Sequence, residues 1–410
     1  MQEAVQKEKP SLVGPLSGVR VIDLGTMFAG PFAASLMGDF GADVIKIELP
    51  KVGDSNRGMA PVVKGVPGPW TILSRNKRSI SLDIRKEKGK EILKKLVATA
   101  DVVVENFRPG TLEGWGLGYD VLKTVNPKLI MIRISGYGQT GPYAGKAGFG
   151  TPATAFSGFT YLQGYPDRPP LSPPLAMADY VTGIFGAMAA AMALYHLKAT
   201  DADEGQQVDL ALYEAIFRIL EMLVAEYDLT GKVRERAGHI SQGAAPAGAF
   251  KCSDGKWVIM VTSTDRTFAR LAEVMGRTDL LTDPRFDTGP HRSANRKAIT
   301  EIVQEWFHQH SMPEIMKILD ENGVPVSPIY SIADIFQDPQ YKARENLVQI
   351  EHPILGKVTM PGIVPKFSAT PGVIRWPGPY TVGQHNDEIY IKELGFSPEE
   401  LEALKAEDVI

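Results

Sequence analysis

The stretch from Val19 to Ile47 limits the fold of this chain more than any other. Val19 to Leu24 reads VRVIDL, a short strand rich in β-branched residues. A loop from Gly25 to Gly30 follows, and Pro31 suits the first turn of a helix over Pro31 to Phe40. Gly41 closes that helix, and Ala42 to Ile47 (ADVIKI) reads as a second strand. Strand, helix and strand in so short a span make a β-α-β unit, with parallel strands and a right-handed crossover. The free N–H groups and positive dipole end at the helix start favour an anion. A dinucleotide site with Glu48 as the ribose-binding acid is the rival. It fails on spacing, because Gly25 and Gly30 are five apart and no G-x-G-x-x-G occurs.

Further strands are expected at Ser79 to Leu82, Val102 to Val104, Leu129 to Ile134 and about Gln207 to Asp209. A helix at about Glu87 to Ala98 lies among them, and an amphipathic helix covers about Leu212 to Leu229. The class is therefore α/β, with a parallel sheet. In such sheets the residues at the carboxyl ends of strands line the ligand crevice. Here those are Glu105-Asn106-Phe107-Arg108 and the glycine-rich loop from Gly136 to Pro142. Ser74 to Arg78 (SRNKR), just before a strand, reads either as a phosphate-holding segment or as a solvated turn.

The pattern changes after Gly231. Lys232 to Arg236 is charged, and His239 to Gly248 is a loop of small residues. Strands at Gly248 to Lys251 and Trp257 to Thr262 then alternate with helices at Thr267 to Met275, Arg296 to His308 and Met312 to Glu321. This predicts a smaller α/β domain over 231–337, after a large-domain segment over 1–230. From about Asp338 the chain is rich in proline and glycine, and a last helix starts near Pro398.

A chain of 410 residues is too long for one ordinary domain. A net charge of −4 suggests neither nucleic acid nor a membrane surface as partner. One cysteine, Cys252, fits a reducing, cytoplasmic setting, and the polar first ten residues predict no secretory signal. The seven histidines lack metal-ligand spacing, so no metal site is expected.

Within PPLAMADYVTGIFGAMAAAMALYHL (Pro173 to Leu197) Asp179 is the only charged residue. It stands where a long apolar helix begins. A helix apolar nearly all round, with many small residues, is expected in a packed interior rather than in a membrane. Asp179 reads either as an N-cap, accepting bonds from the first turn, or as a nucleophilic carboxylate on a rigid support.

Several segments, in order, resemble class III coenzyme A transferases, the group with formyl-CoA and carnitine CoA-transferases and the related α-methylacyl-CoA racemases. They are LSGVRVIDLG, AGPFAASLMGDFGADVIKIE, GDSNRG, NKRSISLDIR, DVVVENFRPGTLEGWGLGY, ISGYGQTGPY and ADYVTGIFGAMAAAMALYH. Together they cover most of residues 16 to 215, and beyond 240 the match is looser. The resemblance implies a large Rossmann-like domain completed by the return segment 338–410, and two ring-like chains interlocked as a dimer. It places the nucleophile on Asp179. It places coenzyme A contacts on Met27, Phe28 and Ala29, on Arg75, Asn76 and Lys77, and on Asn106 and Phe107. A glycine loop over the active site corresponds to about Gln242 to Gly248, where Gly243, Ala244 and Ala245 would offer N–H groups to an oxyanion. This chain reads QGAAPAG there, and its alanines and proline restrict the backbone. Gly114 stands where some members carry a basic residue. Racemases carry a His-Asp pair where this chain reads Ala147-Gly148-Phe149-Gly150.

The implied activity is transfer of coenzyme A from an acyl-CoA donor to a carboxylic acid, through aspartyl anhydride and aspartyl-CoA thioester intermediates. The CoA thioester is a substrate, and no tightly bound cofactor is expected. Phe149, Phe156 and Phe159 either shape an apolar acceptor pocket or are ordinary core aromatics. The pocket option suggests succinyl-CoA as donor and an aryl-substituted dicarboxylate such as benzylsuccinate as acceptor. The alternatives are an acyl-CoA α-racemase or epimerase, and one subunit of a heteromeric transferase with a homologous second chain.

Overall fold

The computed structural model describes residues 14–241 and 243–410. They form two compact units. The first comprises the chain up to Phe159 together with Ser172–Ala225 and Arg344–Ile410, and the second Thr160–Leu171 and Glu226–Ala343.

The first unit is built on six strands: β1 (Arg20–Asp23), β2 (Asp43–Glu48), β3 (Lys77–Ser81), β4 (Val102–Glu105), β5 (Ile130–Ser135) and β6 (Gln207–Ala211). All neighbours pair in parallel, in the spatial order β3-β2-β1-β4-β5-β6. The chain thus winds outward from β1 to one edge, returns, and winds outward from β4 to the other. The reversal between β1 and β4 leaves a crevice at their carboxyl ends.

Both faces of this sheet are covered, so its inner strands are apolar on both sides. On one face Ile22, Ile45, Ile80, Val103 and Met131 pack with α2's Ile92 and Leu93 and with Leu401 and Leu404 near the C-terminus, α2 being Glu87–Val97. On the other, Val21, Val44, Val102 and Ile132 meet α1 (Ala29–Asp39) and a long helix, Met177–Thr200. That helix is α4, and the short helix before it, Gly150–Phe156, is α3.

Two expectations change here. α4 is not buried all round. Its small residues, among them Ala178, Gly183, Gly186 and Ala190, form the covered face, while Ile184, Met188, Met192 and Tyr195 are exposed. The reason is shape: a Cβ on Gly183 would lie 2.9 Å from the Phe32 ring and 3.0 Å from the Ala29 carbonyl oxygen. Small residues therefore let α4 lie close on α1, and the bulky apolar residues are left on the far side. The single helix expected over Leu212 to Leu229 is two, α5 (Leu212–Arg218) and Glu221–Thr230.

The C-terminal stretch rich in proline and glycine holds an antiparallel hairpin, Leu347–His352 with Gly356–Pro361, which sequence reading missed. The second unit has a three-stranded antiparallel sheet of Ala247–Lys251, Trp257–Val261 and Val326–Pro328. Helices Asp265–Val274, Arg296–Phe307 and Met312–Glu321 pack on it through Leu271, Val303, Phe307 and Leu319.

Candidate active site

The crevice between β1 and β4 is tied shut at its base by one amide. The Thr26 N–H donates to Asn106 Oδ1 at 2.7 Å, and Asn106 Nδ2 donates back to the Thr26 carbonyl at 2.8 Å. Asn106 follows β4, so it clamps the loop after β1 onto the neighbouring strand. Asp23 Oδ1 accepts from the Gly25 N–H at 3.0 Å, and Asn56 Nδ2 donates to the Met27 carbonyl. Met27 has φ of 63°, a conformation a side chain adopts only when its surroundings enforce it. Below, the buried Glu105 carboxylate accepts from the Phe107 N–H at 2.7 Å and from Arg133 Nε at 2.8 Å.

These elements wall a cavity of about 290 Å³. It brings together Asp179, Met27, Ala29, Asn106, Phe107 and Phe149, all expected from sequence, with Thr26, Ser135, Arg108 and Lys146. Thr26 and Phe107 also line a neighbouring cavity of about 300 Å³, with Ile47, Gly53, Ile84 and Trp115. Phe107 meets the Trp115 ring edge-on at 5.4 Å.

Asp179 is the third residue of α4 and not its N-cap, which is Ala176. It remains in the first turn, where free N–H groups and the dipole favour negative charge. Burial works the other way and pushes the Asp179 carboxyl up to about 6, its own backbone N–H opposing. At neutral pH it is still mostly ionised, but less solvated than a surface aspartate. A Cβ on Gly150 would lie 1.8 Å from Asp179 Oδ2. The carboxylate thus rests against bare backbone at the start of α3. The segment before α3 is placed by another pair of glycines, since a Cβ on Gly136 would come within 2.6 Å of the Gly148 Cα.

The other expected residues of the first unit do not line this cavity. Phe28 packs against Tyr180, ring centres 5.8 Å apart. Phe156 sits in an aromatic cluster with Tyr137, Tyr143 and Tyr213. Phe159 packs against the core under α1 and α4. Neither Phe156 nor Phe159 lines the cavity. Arg75, Asn76 and Lys77 are buried and engaged within the fold. Arg75 Nη2 bonds Asp39 at 2.6 Å, Asn76 Nδ2 donates to Asp39 at 2.9 Å, and Lys77 Nζ pairs with Asp23 at 2.8 Å. Low dielectric around them demands those carboxylates, which a sequence does not display. Gly243, Ala244 and Ala245 belong to the second unit, and Gln242 lies outside the described residues. There the Gly243 N–H donates to Ser241 Oγ at 3.3 Å, and the buried Ala245 carbonyl accepts from Arg292 Nε at 3.0 Å.

Sequence reasoning missed Lys146 and Asn56 as parts of this region, and the clearance that Gly150 gives Asp179. Asn56 had a signal in its GDSNRG loop, and Lys146 in following the glycine-rich turn. Gly150 had one only in lying within the segment where racemases carry a His-Asp pair, because its own role is a clearance that exists only once α3 meets α4.

A model of CoA-transferase family III matches residues 16–386. The chain is 42% identical over 397 residues to the succinyl-CoA–D-citramalate CoA-transferase of Chloroflexus aurantiacus, covering 97% of this chain and 98% of that protein. It is 44% identical to the beta subunit of the succinyl-CoA–L-malate CoA-transferase of the same organism, with 97% and 98% covered. A solved CAIB/BAIF family protein from Brucella suis superposes with a TM-score of 0.81 at 36% identity, over 93% of this chain and 99% of that one.

Proposed function

The chain belongs to CoA-transferase family III, and we propose that it moves coenzyme A from succinyl-CoA to a second dicarboxylic acid by covalent catalysis at Asp179. The observation that carries this is the cavity at the β1/β4 crevice, which gathers Asp179 with the loop after β1 and the end of β4. Succinyl-CoA is the donor named for both Chloroflexus relatives, and citramalate and malate are their acceptors.

In this mechanism an Asp179 oxygen attacks the thioester carbonyl carbon. The C–S bond breaks, giving a mixed anhydride and the CoA thiolate. The thiolate attacks the aspartyl carbonyl and releases succinate, leaving an aspartyl-CoA thioester. The acceptor carboxylate attacks that thioester and forms a second anhydride with departure of the thiolate. The thiolate then takes the acceptor's acyl group and frees Asp179. A carboxyl group near pKa 6 suits the task, being ionised at neutral pH yet more nucleophilic than a fully solvated one. The acyl part would occupy the cavity at Asp179, and the pantetheine arm would pass Thr26 and Phe107 into the neighbouring one. Among the described residues, Asp179 is the sole carboxylate lining its cavity, and no histidine lines it. That favours transfer over α-proton exchange, which needs two bases. Of the three aromatic residues expected around the acceptor, Phe149 lines the cavity, which favours a small aliphatic dicarboxylate over benzylsuccinate.

The same proposal includes a second chain. The exposed apolar residues of α4 suit a partner, a second copy in an interlocked dimer or a homologous subunit. The deciding experiment for the chemistry is mass spectrometry of protein incubated with succinyl-CoA and no acceptor. An adduct with the mass of coenzyme A, trapped by borohydride on the peptide carrying Asp179, is expected. An adduct on another carboxylate, or full transfer by Asp179→Ala, would overturn the assignment.

A further inference from the structure

Among the described residues, the cavity around Asp179 is lined by one anionic side chain and two cationic ones, Arg108 and Lys146. Arg108 is engaged with the backbone, its Nη2 donating to the Gly145 carbonyl at 2.7 Å. That bond and the backbone contact of Gly148 with Gly136 hold the segment carrying Lys146. Lys146 is exposed, and its ammonium lies 3.5 Å from the centre of the Tyr143 ring. An aromatic face orients a cation without neutralising it. The wall that holds the nucleophile therefore also carries a positively charged side chain.

Two anions of the substrate pair are open to such a charge: a phosphate of coenzyme A and a carboxylate on the acyl chain. A volume of about 290 Å³ admits an acyl chain of a few carbons and not a nucleotide. The phosphates stand at the far end of the pantetheine arm from the thioester that Asp179 attacks. A chain ending in a methyl group would leave the ammonium facing an apolar group. A chain ending in a carboxylate would give it a charge-assisted hydrogen bond.

We propose that Lys146 recognises the distal carboxylate of the succinyl group and of the incoming acid, and so selects dicarboxylates over monocarboxylates. This rests on the dicarboxylate reading given above. An ammonium on a flexible stem follows carboxylates at differing reach, so diacids of more than one length would be served.

The test compares wild type with Lys146→Gln and Lys146→Arg. Succinyl-CoA and butyryl-CoA serve as donors, butyryl-CoA also as competitive inhibitor, and free coenzyme A as inhibitor. Lys146→Gln should raise KM for succinyl-CoA and for the diacid about ten- to a hundredfold, the loss of one charge-assisted hydrogen bond. It should leave the constants for butyryl-CoA and free coenzyme A unchanged, and Lys146→Arg should restore most of the loss. Equal weakening of succinyl-CoA, butyryl-CoA and free coenzyme A would make Lys146 a phosphate contact and overturn the proposal. Unchanged constants throughout would overturn it too. Wild type that turns over butyryl-CoA as well as succinyl-CoA would instead refute the dicarboxylate reading itself, whatever Lys146→Gln does.

Discussion

At the scale of single residues, Gly150 and Asp179 act as a pair. A Cβ at 150 would occupy the space of Asp179 Oδ2, yet that oxygen ends a side chain that can rotate. Gly150→Ala should therefore turn the carboxylate aside and leave the fold intact. The expected result is a drop in kcat of about a hundredfold with little change in KM or Tm, in line with the cost of misplacing a reacting group by about 1 Å. Steady-state kinetics beside thermal denaturation checks it, and a lowered Tm with normal kcat would contradict it. Asp179 also predicts a pH dependence of stability. Its carboxyl is raised from 3.8 to about 6, so ionisation disfavours the folded state. The penalty is absent below the unfolded value of 3.8 and complete above about 6. Asp179→Asn should thus be more stable than wild type at pH 7 to 8, by about 2 kcal/mol once solvent screening is allowed for. The gain should vanish as pH falls below the unfolded value. Denaturant titrations across that range measure it, and a gain that grows on acidification would reverse the sign.

At the scale of elements, the contact of α4 with α1 places the nucleophile against the loop after β1. Both glycines at that contact, Gly183 and Gly186, would clash or crowd with α1 if given a Cβ, at 2.9 Å from Phe32 and 3.2 Å from Ala33. Gly183→Val should destabilise the protein by about 1–3 kcal/mol through overpacking. It should also lower transfer, because α1 starts at Ala29 and α4 carries Asp179 three residues in. Calorimetry and transfer assays on one preparation test both, and wild-type Tm would mean that α4 does not bear on α1. The β1-α1-β2 unit was legible in sequence because its period and punctuation are local. The division of α5 from Glu221–Thr230 was not, since the apolar pattern runs on across the break at Ile219.

For the whole molecule, the exposed face of α4 bears on assembly. Tyr195 is 74% exposed and Met192 61%, in line along the helix with Met188 and Ile184. If a second chain covers this face, Met192→Asp should shift the protein to monomers, seen by light scattering, while leaving helix content unchanged. A monomeric wild type would remove this role from the face. What the sequence by itself determined are features written in neighbouring residues: the parallel α/β class, strand ends at Val104 and Ile134, each one residue short of the end observed, and Asp179 at the start of a long apolar helix. Such features follow from periodicity, capping and turn chemistry within a dozen residues. Tertiary structure alone decided which distant groups meet. It buried Arg75 against Asp39 and Lys77 against Asp23, and gathered Asn106, Phe149 and Lys146 around one carboxylate. It also cleared room for that carboxylate at Gly150. Those outcomes depend on sheet order and helix contact, in which residues far apart in the chain become neighbours by packing.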